Sequence, residues 1–163
     1  MTFFSALAAY LTAYTLAYVG LFFLSPIFFQ QTARRLSARS VYSILGILAV
    51  CVLFFNISNA IPDEQLGNRV LHAMAGGFTA FFLCYRAAKD SKVAITKFQF
   101  FVFSALMVTA LGVGNEIAEF FGQNYAGIIF APSINDTWLD LISNTVGILL
   151  GAICFLPLMK NNI

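Results

Sequence analysis

The chain has 163 residues, of which 60% are hydrophobic and only 10% are charged, and its mean hydropathy is +0.85. Soluble domains carry about a quarter charged residues, so this composition excludes an ordinary water-soluble globule and predicts an all-α protein embedded in a membrane. The net charge of +2 is too small to indicate a nucleic-acid partner. The three cysteines all lie in apolar runs without a CxxC spacing, which predicts neither a disulfide framework nor a zinc knuckle.

Five apolar runs separated by polar breaks predict five transmembrane helices in a single domain that covers residues 1–163. The predicted spans are 3–29, 41–60, 70–85, 98–121 and 138–159. A spanning helix needs about 20 mostly apolar residues, and the third run is shorter than that. The alternative is therefore four spans and a re-entrant segment. The first run is longer than the apolar core of a signal peptide and follows no basic segment, so we expect a retained helix.

The charges of the loops orient this bundle. Basic residues concentrate in the first and third loops, whereas the second and fourth loops are acidic or nearly uncharged. The first loop holds Arg34, Arg35 and Arg39, the second Asp63, Glu64 and Arg69, and the third Arg86, Lys89, Lys92 and Lys97 with Asp90. The positive-inside rule places the basic loops in the cytoplasm. We therefore expect a multi-pass protein of the bacterial cytoplasmic membrane with its N-terminus outside.

Ionisable and polar residues within the spans gather at one predicted depth. Helix 3 starts outside, helix 4 ends outside and helix 5 starts outside, so the polar residues near those ends share the outer third of the membrane. They are His72, Glu116, Glu119, Asp136, Asp140 and Asn144. Charged residues within a span cost about 2.5 to 3.5 kcal/mol each at the helix centre, which makes such a group a functional candidate. Nothing equally polar is expected in the cytoplasmic half.

These residue types support two kinds of chemistry. Carboxylate and amide oxygens suit a divalent cation such as Mg²⁺, Ca²⁺ or Mn²⁺. Crowded carboxylates beside a histidine also suit general acid–base catalysis, or a proton or ion relay. The predicted cation ligands are Glu116, Glu119, Asp136, Asp140 and Asn144, and the predicted catalytic residues are His72, Glu116, Glu119 and Asp140.

Structural explanations of the same residues stay open. Asp136 is a candidate N-cap for helix 5, and Arg69 and Glu119 are a candidate interfacial ion pair. Tyr10, Tyr14 and Tyr18 form a stripe on helix 1 that is typical of packing.

Small residues and amides accompany the polar set. Gly147 and Gly151 form a GxxxG pattern, which allows two helices to approach closely. Asn56 and Asn59, near the outer end of helix 2, are candidates to line the same cavity.

The pattern over residues 69–152 resembles the VanZ-like family of small bacterial membrane proteins. The match consists of His72 at the start of a helix, Glu116 near the end of the next, and the run Asp140-x3-Asn144-x2-Gly147-x3-Gly151. Glu119 stands where the family commonly has Gln, and no basic residue lies between Phe121 and Asp136, where the family has one. The Glu-x-x-Glu and Asp-x-x-x-Asp pairs also resemble uncharacterised inner-membrane proteins of the YjdF type. The resemblance implies a small membrane protein and supplies no mechanism.

Three functions are compatible with these observations. The first is a polar, cation-binding site that faces the outside and binds or modifies an envelope lipid or a lipid-linked headgroup. The second is a proton- or ion-coupled transporter, and the third is a scaffold whose polar groups only hold helices together. The five spans show no inverted repeat of the kind that many transporters contain.

Overall fold

The computed structural model describes residues 3–32, 35–125, 127 and 134–159, and these form an all-helical bundle without strands. Five helices follow in chain order: α1 (Phe3–Phe28), α2 (Ala38–Asn59), α3 (64–91), α4 (Lys97–Tyr125) and α5 (Ile134–Phe155). Among the described residues, α1, α2, α4 and α5 are each long and apolar enough to cross a membrane. The prediction of an all-helical, membrane-type bundle of about five helices is therefore confirmed, and four of the five meet this criterion for spanning.

Helix α3 is longer than the sequence predicted and consists of three consecutive parts. It runs as an α-helix over Glu64–Leu71, as a π-helix over His72–Thr79 and again as an α-helix over Ala80–Ser91. Asp63 caps its start, because the Asp63 carboxylate accepts a hydrogen bond from the Leu66 amide at 3.0 Å. The predicted third loop is correspondingly shorter, since Arg86, Lys89 and Asp90 lie in the last turns of α3 rather than in a loop.

Contacts along α3 fix the directions of α5 and α2. Asn68 meets Asp140 at one end of the α3–α5 interface and Tyr85 stacks on Phe155 at the other, so these two helices are parallel. Helix α2 is antiparallel to α3, because Ser58 bonds Gly67 and Ser43 bonds Asp90. Helices α3 and α5 share about 15 residues of depth, or about 22 Å at 1.5 Å per residue, which argues against the re-entrant alternative.

Glycines allow the close packing of α3 on α5. A Cβ at Gly147 would overlap the carbonyl oxygen of Ala73 and lie 2.7 Å from the Cα of Gly77. A Cβ at Gly151 would lie 2.7 Å from the Cβ of Phe81. The predicted GxxxG contact therefore exists: Gly147 meets the π-helical part of α3, and Gly151 meets Phe81 just after it. It sets the depth at which residues on α5 face His72 on α3.

The bundle divides its charges between its two ends. We call the starts of α3 and α5 with the end of α4 the acidic end; it contains Asp63, Glu64, Arg69, Glu116, Glu119, Asp136 and Asp140. We call the end of α3, the starts of α2 and α4 and their loops the basic end; its described charges are Arg35, Arg39, Arg86, Lys89, Asp90, Lys92 and Lys97. Each end thus contains one residue of the opposite sign, Arg69 and Asp90 respectively.

Candidate functional site

Three side chains from three helices converge at the acidic end. His72 begins the π-helical part of α3, Glu116 lies in α4 and Asp140 lies in the second turn of α5. All three are buried, and each offers one ligand atom within 4.8 Å of the ligand atoms of the other two. Oδ2 of Asp140 lies 3.5 Å from Nε2 of His72. His72 and Asp140 are 68 positions apart in the sequence, and the parallel packing of α3 and α5 brings them together.

Asp140 is the most enclosed of the three, with a residue exposure of 1%. Arg69 forms an ion pair with it, and Asn68 donates to its Oδ1 at 3.1 Å. A buried carboxylate costs free energy unless it is paired and hydrogen-bonded, and α3 supplies both partners within a single turn. Asn68 escaped the sequence analysis, although its i,i+4 spacing from His72 places the two on one helical face.

Two buried polar atoms near this point have no hydrogen-bond partner among the described residues. They are Oε1 of Glu116 and Oδ1 of Asn144. Buried polar groups are almost always hydrogen-bonded, so an exception calls for a physical explanation. Asn144 is also held tightly, because a Cβ at Gly76 would overlap its Oδ1 and a Cβ at Gly112 would lie 3.0 Å from its Nδ2. The Asn144 amide is thus fixed between α3 and α4, while its Oδ1 accepts no hydrogen bond from the described residues.

The remaining predicted site residues have other partners. Asp136 pairs with Arg69 and lies outside the group of three, and it is inside the first turn of α5, so its interpretation as the N-cap was wrong. Glu119 accepts from Nδ2 of Asn115 at 2.7 Å. The proposed Arg69–Glu119 ion pair was also wrong, because Arg69 is bound to Asp136 and Asp140.

A cavity of about 850 Å³ opens beside these residues and receives side chains from all five helices. Its polar lining consists of Tyr10, Tyr14, Ser58, Asn59, Glu64, Asn68, His72, Asn115, Glu119, Asp140 and Asn144. Asn59 was expected there, whereas Asn56 points elsewhere and donates to the carbonyl of Val52. Two residues of the tyrosine stripe also line the cavity, which a packing role alone did not predict.

The opposite part of the cavity is apolar. Its wall there includes Ala13, Ala17, Ala80 and Leu83. Along α3 the lining extends from Glu64 to Leu83, which corresponds to about 28 Å of helix. The cavity therefore joins a polar region at the acidic end to an apolar region deep in the bundle.

The basic end contains a second buried ionic cluster, which the sequence analysis did not expect. The Asp90 side chain is 0% exposed and pairs with Arg39 and Arg86. Tyr18 donates to its Oδ2 at 2.8 Å, and Ser43 donates to the same oxygen. The expectation that the half of the bundle away from the site contains nothing equally polar was wrong.

Comparison of the chain with family models, curated proteins and solved structures finds no match. The resemblance to VanZ-like proteins stays a prediction, and the arguments that follow depend on the geometry of the chain itself.

Proposed function

We propose that this membrane protein binds a divalent cation at the acidic end, and that the cation and the adjoining cavity hold the headgroup of a membrane lipid. The observation that carries the proposal is the convergence of His72, Glu116 and Asp140, whose ligand atoms lie within 4.8 Å of one another. The unpartnered, buried Oε1 of Glu116 supports it independently. A cation would satisfy an oxygen that otherwise loses its hydration without compensation.

The ligand set favours a particular class of cation. Carboxylates suit Mg²⁺, Ca²⁺ and Mn²⁺, whereas an imidazole suits first-row transition metals. Two carboxylates with one histidine, and an amide oxygen on Asn144 nearby, therefore favour Mn²⁺ or Zn²⁺ over Mg²⁺ and Ca²⁺. Three protein ligands leave open positions for water or a substrate oxygen, as in catalytic zinc sites.

The shape of the cavity supports a lipid as the second ligand. Ligand pockets usually have volumes of about 300 to 1,000 Å³, and this one has about 850 Å³. Its polar part adjoins the cation ligands, and its alanine-rich part is apolar and therefore suits an acyl chain. A headgroup phosphate would reach the cation while the chain lies between α1 and α3. If the lipid is modified there, Glu119 is the residue to move a proton, because it lines the cavity without belonging to the group of three.

Metal binding to purified protein tests this proposal directly. We expect the wild type to bind about one Mn²⁺ or Zn²⁺ by isothermal titration calorimetry, and Asp140→Asn and Glu116→Gln each to weaken binding by about 100-fold. Asp63→Asn is the matched control, because it removes one carboxylate at the same end and an asparagine still caps α3. Absence of metal binding in the wild type, or an equal loss in the control, would contradict the proposal.

The location of the site is part of the same proposal. The segregation of basic residues to the other end favours a bacterial cytoplasmic membrane in which the acidic end faces outside. In a variant without native cysteines, Gln65→Cys is expected to react with an impermeant maleimide added to intact cells. Lys92→Cys is expected to react only after the cells are opened, and the reverse pattern would overturn this orientation.

Transport is a second candidate, favoured by the depth of the cavity. Its lining reaches Leu83, about 10 Å of helix from Asp90, and the Asp90 cluster closes the bundle beyond it. Under this alternative, proteoliposomes would accumulate Mn²⁺ and Glu116→Gln would abolish uptake. Binding of Mn²⁺ without any uptake would instead favour the lipid-binding function.

A further inference from the structure

Two arginines share a single carboxylate oxygen at the basic end. Nε of Arg39 and Nη2 of Arg86 each lie 3.3 Å from Oδ1 of Asp90. Arg86 also donates to Oγ of Ser43 at 2.6 Å. Two positive charges therefore face one negative charge, and the cluster has a surplus of one positive charge that no described residue of this end neutralises.

The surplus charge lies on Arg39. Its side chain is 61% exposed, whereas that of Arg86 is 21% exposed. Asp90 is bound through Nε of Arg39, and neither Nη atom of Arg39 has a hydrogen bond to the described residues. The paired outer donors of a guanidinium match the geometry of a phosphate. Arg39 is thus anchored on its inner edge and free to bind an anion on its outer edge.

A reciprocal hydrogen-bond pair joins two loops of the basic end. Gln31 donates to the carbonyl of Ala94 at 2.8 Å, and the Ala94 amide donates back to Gln31 at 2.9 Å. This reciprocal pair ties the loop after α1 to the loop before α4. Exposed Arg35 and Lys92 also lie in these loops, and among the described residues neither forms an ion pair with Asp90.

We propose that Arg39 binds the phosphate of an anionic phospholipid, whose acyl chains lie along the exposed face of α2. Tyr42 and Gly46 follow Arg39 at i+3 and i+7 on this face, and Tyr42 is 74% exposed. Leu45 is exposed beside them, and nothing lies within 4 Å of a Cβ at Gly46. The surface next to the guanidinium is therefore mostly apolar and is open at Gly46. This continuity identifies a lipid, not a free phosphate ion, as the ligand.

Basic groups between transmembrane helices commonly bind anionic headgroups. The ion pair with Asp90 holds the Arg39 guanidinium so that its two Nη atoms face outward. The site is independent of the cation site, because the two use different residues at opposite ends of α3. Loss of metal binding at Asp140 would leave it intact.

Native mass spectrometry and thermal unfolding in a neutral detergent test the proposal. The lipids are dioleoyl phosphatidylglycerol and, as the zwitterionic comparison, dioleoyl phosphatidylcholine. We expect the wild type to retain phosphatidylglycerol preferentially, and Arg39→Gln to weaken that retention by about fivefold to tenfold. Lys92→Gln is the matched control, since it removes one exposed charge at the same end, and its preference is expected to remain.

Further measurements test whether free phosphate binds and whether the variant is folded. Inorganic phosphate at the same concentration is expected not to raise the unfolding temperature, and an equal rise would assign the site to free phosphate. The unfolding temperature in phosphatidylcholine establishes that Arg39→Gln is folded. Arg39→Lys keeps the charge without the paired outer donors, so it is expected to retain phosphatidylglycerol less well than the wild type. Equal retention of the two lipids by the wild type, or equal losses in Arg39→Gln and Lys92→Gln, would overturn the proposal.

Discussion

At the start of α3 an arginine lies between two carboxylates, whereas at its end a carboxylate lies between two arginines. Arg69 binds Asp136 and Asp140, and Asp90 binds Arg39 and Arg86. Both clusters join helices in a low-dielectric interior, where an isolated charge is costly. They differ in how completely the buried polar atoms around them are satisfied.

The cluster around Asp90 has no buried polar atom without a partner among the described residues, since Tyr18, Ser43 and both arginines surround the carboxylate. The acidic end leaves Oε1 of Glu116 and Oδ1 of Asn144 without one. A satisfied network rigidifies a fold, and an unsatisfied one costs stability. We therefore interpret the basic cluster as a structural lock between α1, α2 and α3, and the acidic cluster as a site that is completed by a ligand.

The largest expected effect follows from breaking the lock. Asp90→Asn leaves two arginines facing a neutral amide, and removal of one partner of a buried ion pair costs about 3 to 5 kcal/mol of unfolding free energy. Glu116→Gln, the matched change at the acidic end, is expected to cost less than about 1 kcal/mol without metal, because it removes a charge that has no cationic partner. Unfolding by titration with sodium dodecyl sulfate measures both. Equal losses would show that the acidic cluster is as structural as the basic one.

Separation of α3 from α5 at their glycine contact is expected to have the next largest effect. In Gly147→Ala the new methyl group meets the Ala73 carbonyl, and overpacking of this kind costs about 1 to 3 kcal/mol. We expect it also to weaken Mn²⁺ binding, because His72 and Asp140 lie on the two helices that move apart. The same detergent titration and calorimetry apply. Gly114→Ala is the control, as nothing lies within 4 Å of its Cβ, and a similar effect there would argue against the close contact.

Arg69, whose charge is opposite to that of the carboxylates at the acidic end, provides a further test. Arg69→Gln removes a cation that competes for Asp140, so we expect the affinity for Mn²⁺ to increase about tenfold, or about 1.4 kcal/mol. Calorimetry at constant pH measures the change. A decrease would mean that Arg69 positions Asp140 for the metal rather than competing with it.

The smallest effect concerns the π-helical part of α3 between the two clusters. Tyr14 donates its hydroxyl proton to the carbonyl of Ala75 in that segment. Tyr14→Phe is expected to reduce the unfolding free energy by about 1 kcal/mol, the usual contribution of one hydrogen bond. Tyr42→Phe changes an exposed hydroxyl and serves as the control. If the two variants are equally stable, the bond does not hold the π-helix.

The sequence was sufficient to predict the five helices and the shared depth of the acidic residues, because apolar length and loop charge are local properties. It underestimated α3, which was predicted to begin at residue 70 and end at residue 85 but extends over 64–91. Hydropathy measures exposure to lipid, and α3 is surrounded by the other four helices. A helix in that position can contain Arg69, His72 and Asp90 at little cost.

The ion pairs and hydrogen bonds between helices could not be predicted from such local properties. The sequence analysis paired Arg69 with Glu119, whereas the structure pairs it with Asp136 and Asp140, and this choice depends on the register of α3 on α5. That register depends on the contact of Gly147 with Gly77 and on the π-helix. The GxxxG pattern identified Gly147 but not its partner, and a π-helix has no reliable local signal. Asn68 and Asn115 were overlooked for a related reason, since an asparagine can be recognised as a hydrogen-bond donor only when the carboxylate that accepts from it is known.

The polar ends of α3 also constrain how the protein is made. Insertion of a helix costs about 2.5 to 3.5 kcal/mol for each charged residue near its centre, and α3 brings arginine, aspartate and histidine into the bundle together. Helices α1 and α2 precede it in the chain and carry Tyr14, Tyr18, Ser43 and Arg39, which are its partners. We therefore expect α3 to be retained by the translocon until these helices accompany it. In a chain truncated to delete α1, α3 would then fail to insert, and Gln65→Cys and Lys92→Cys would react with the impermeant maleimide on the same side of the membrane.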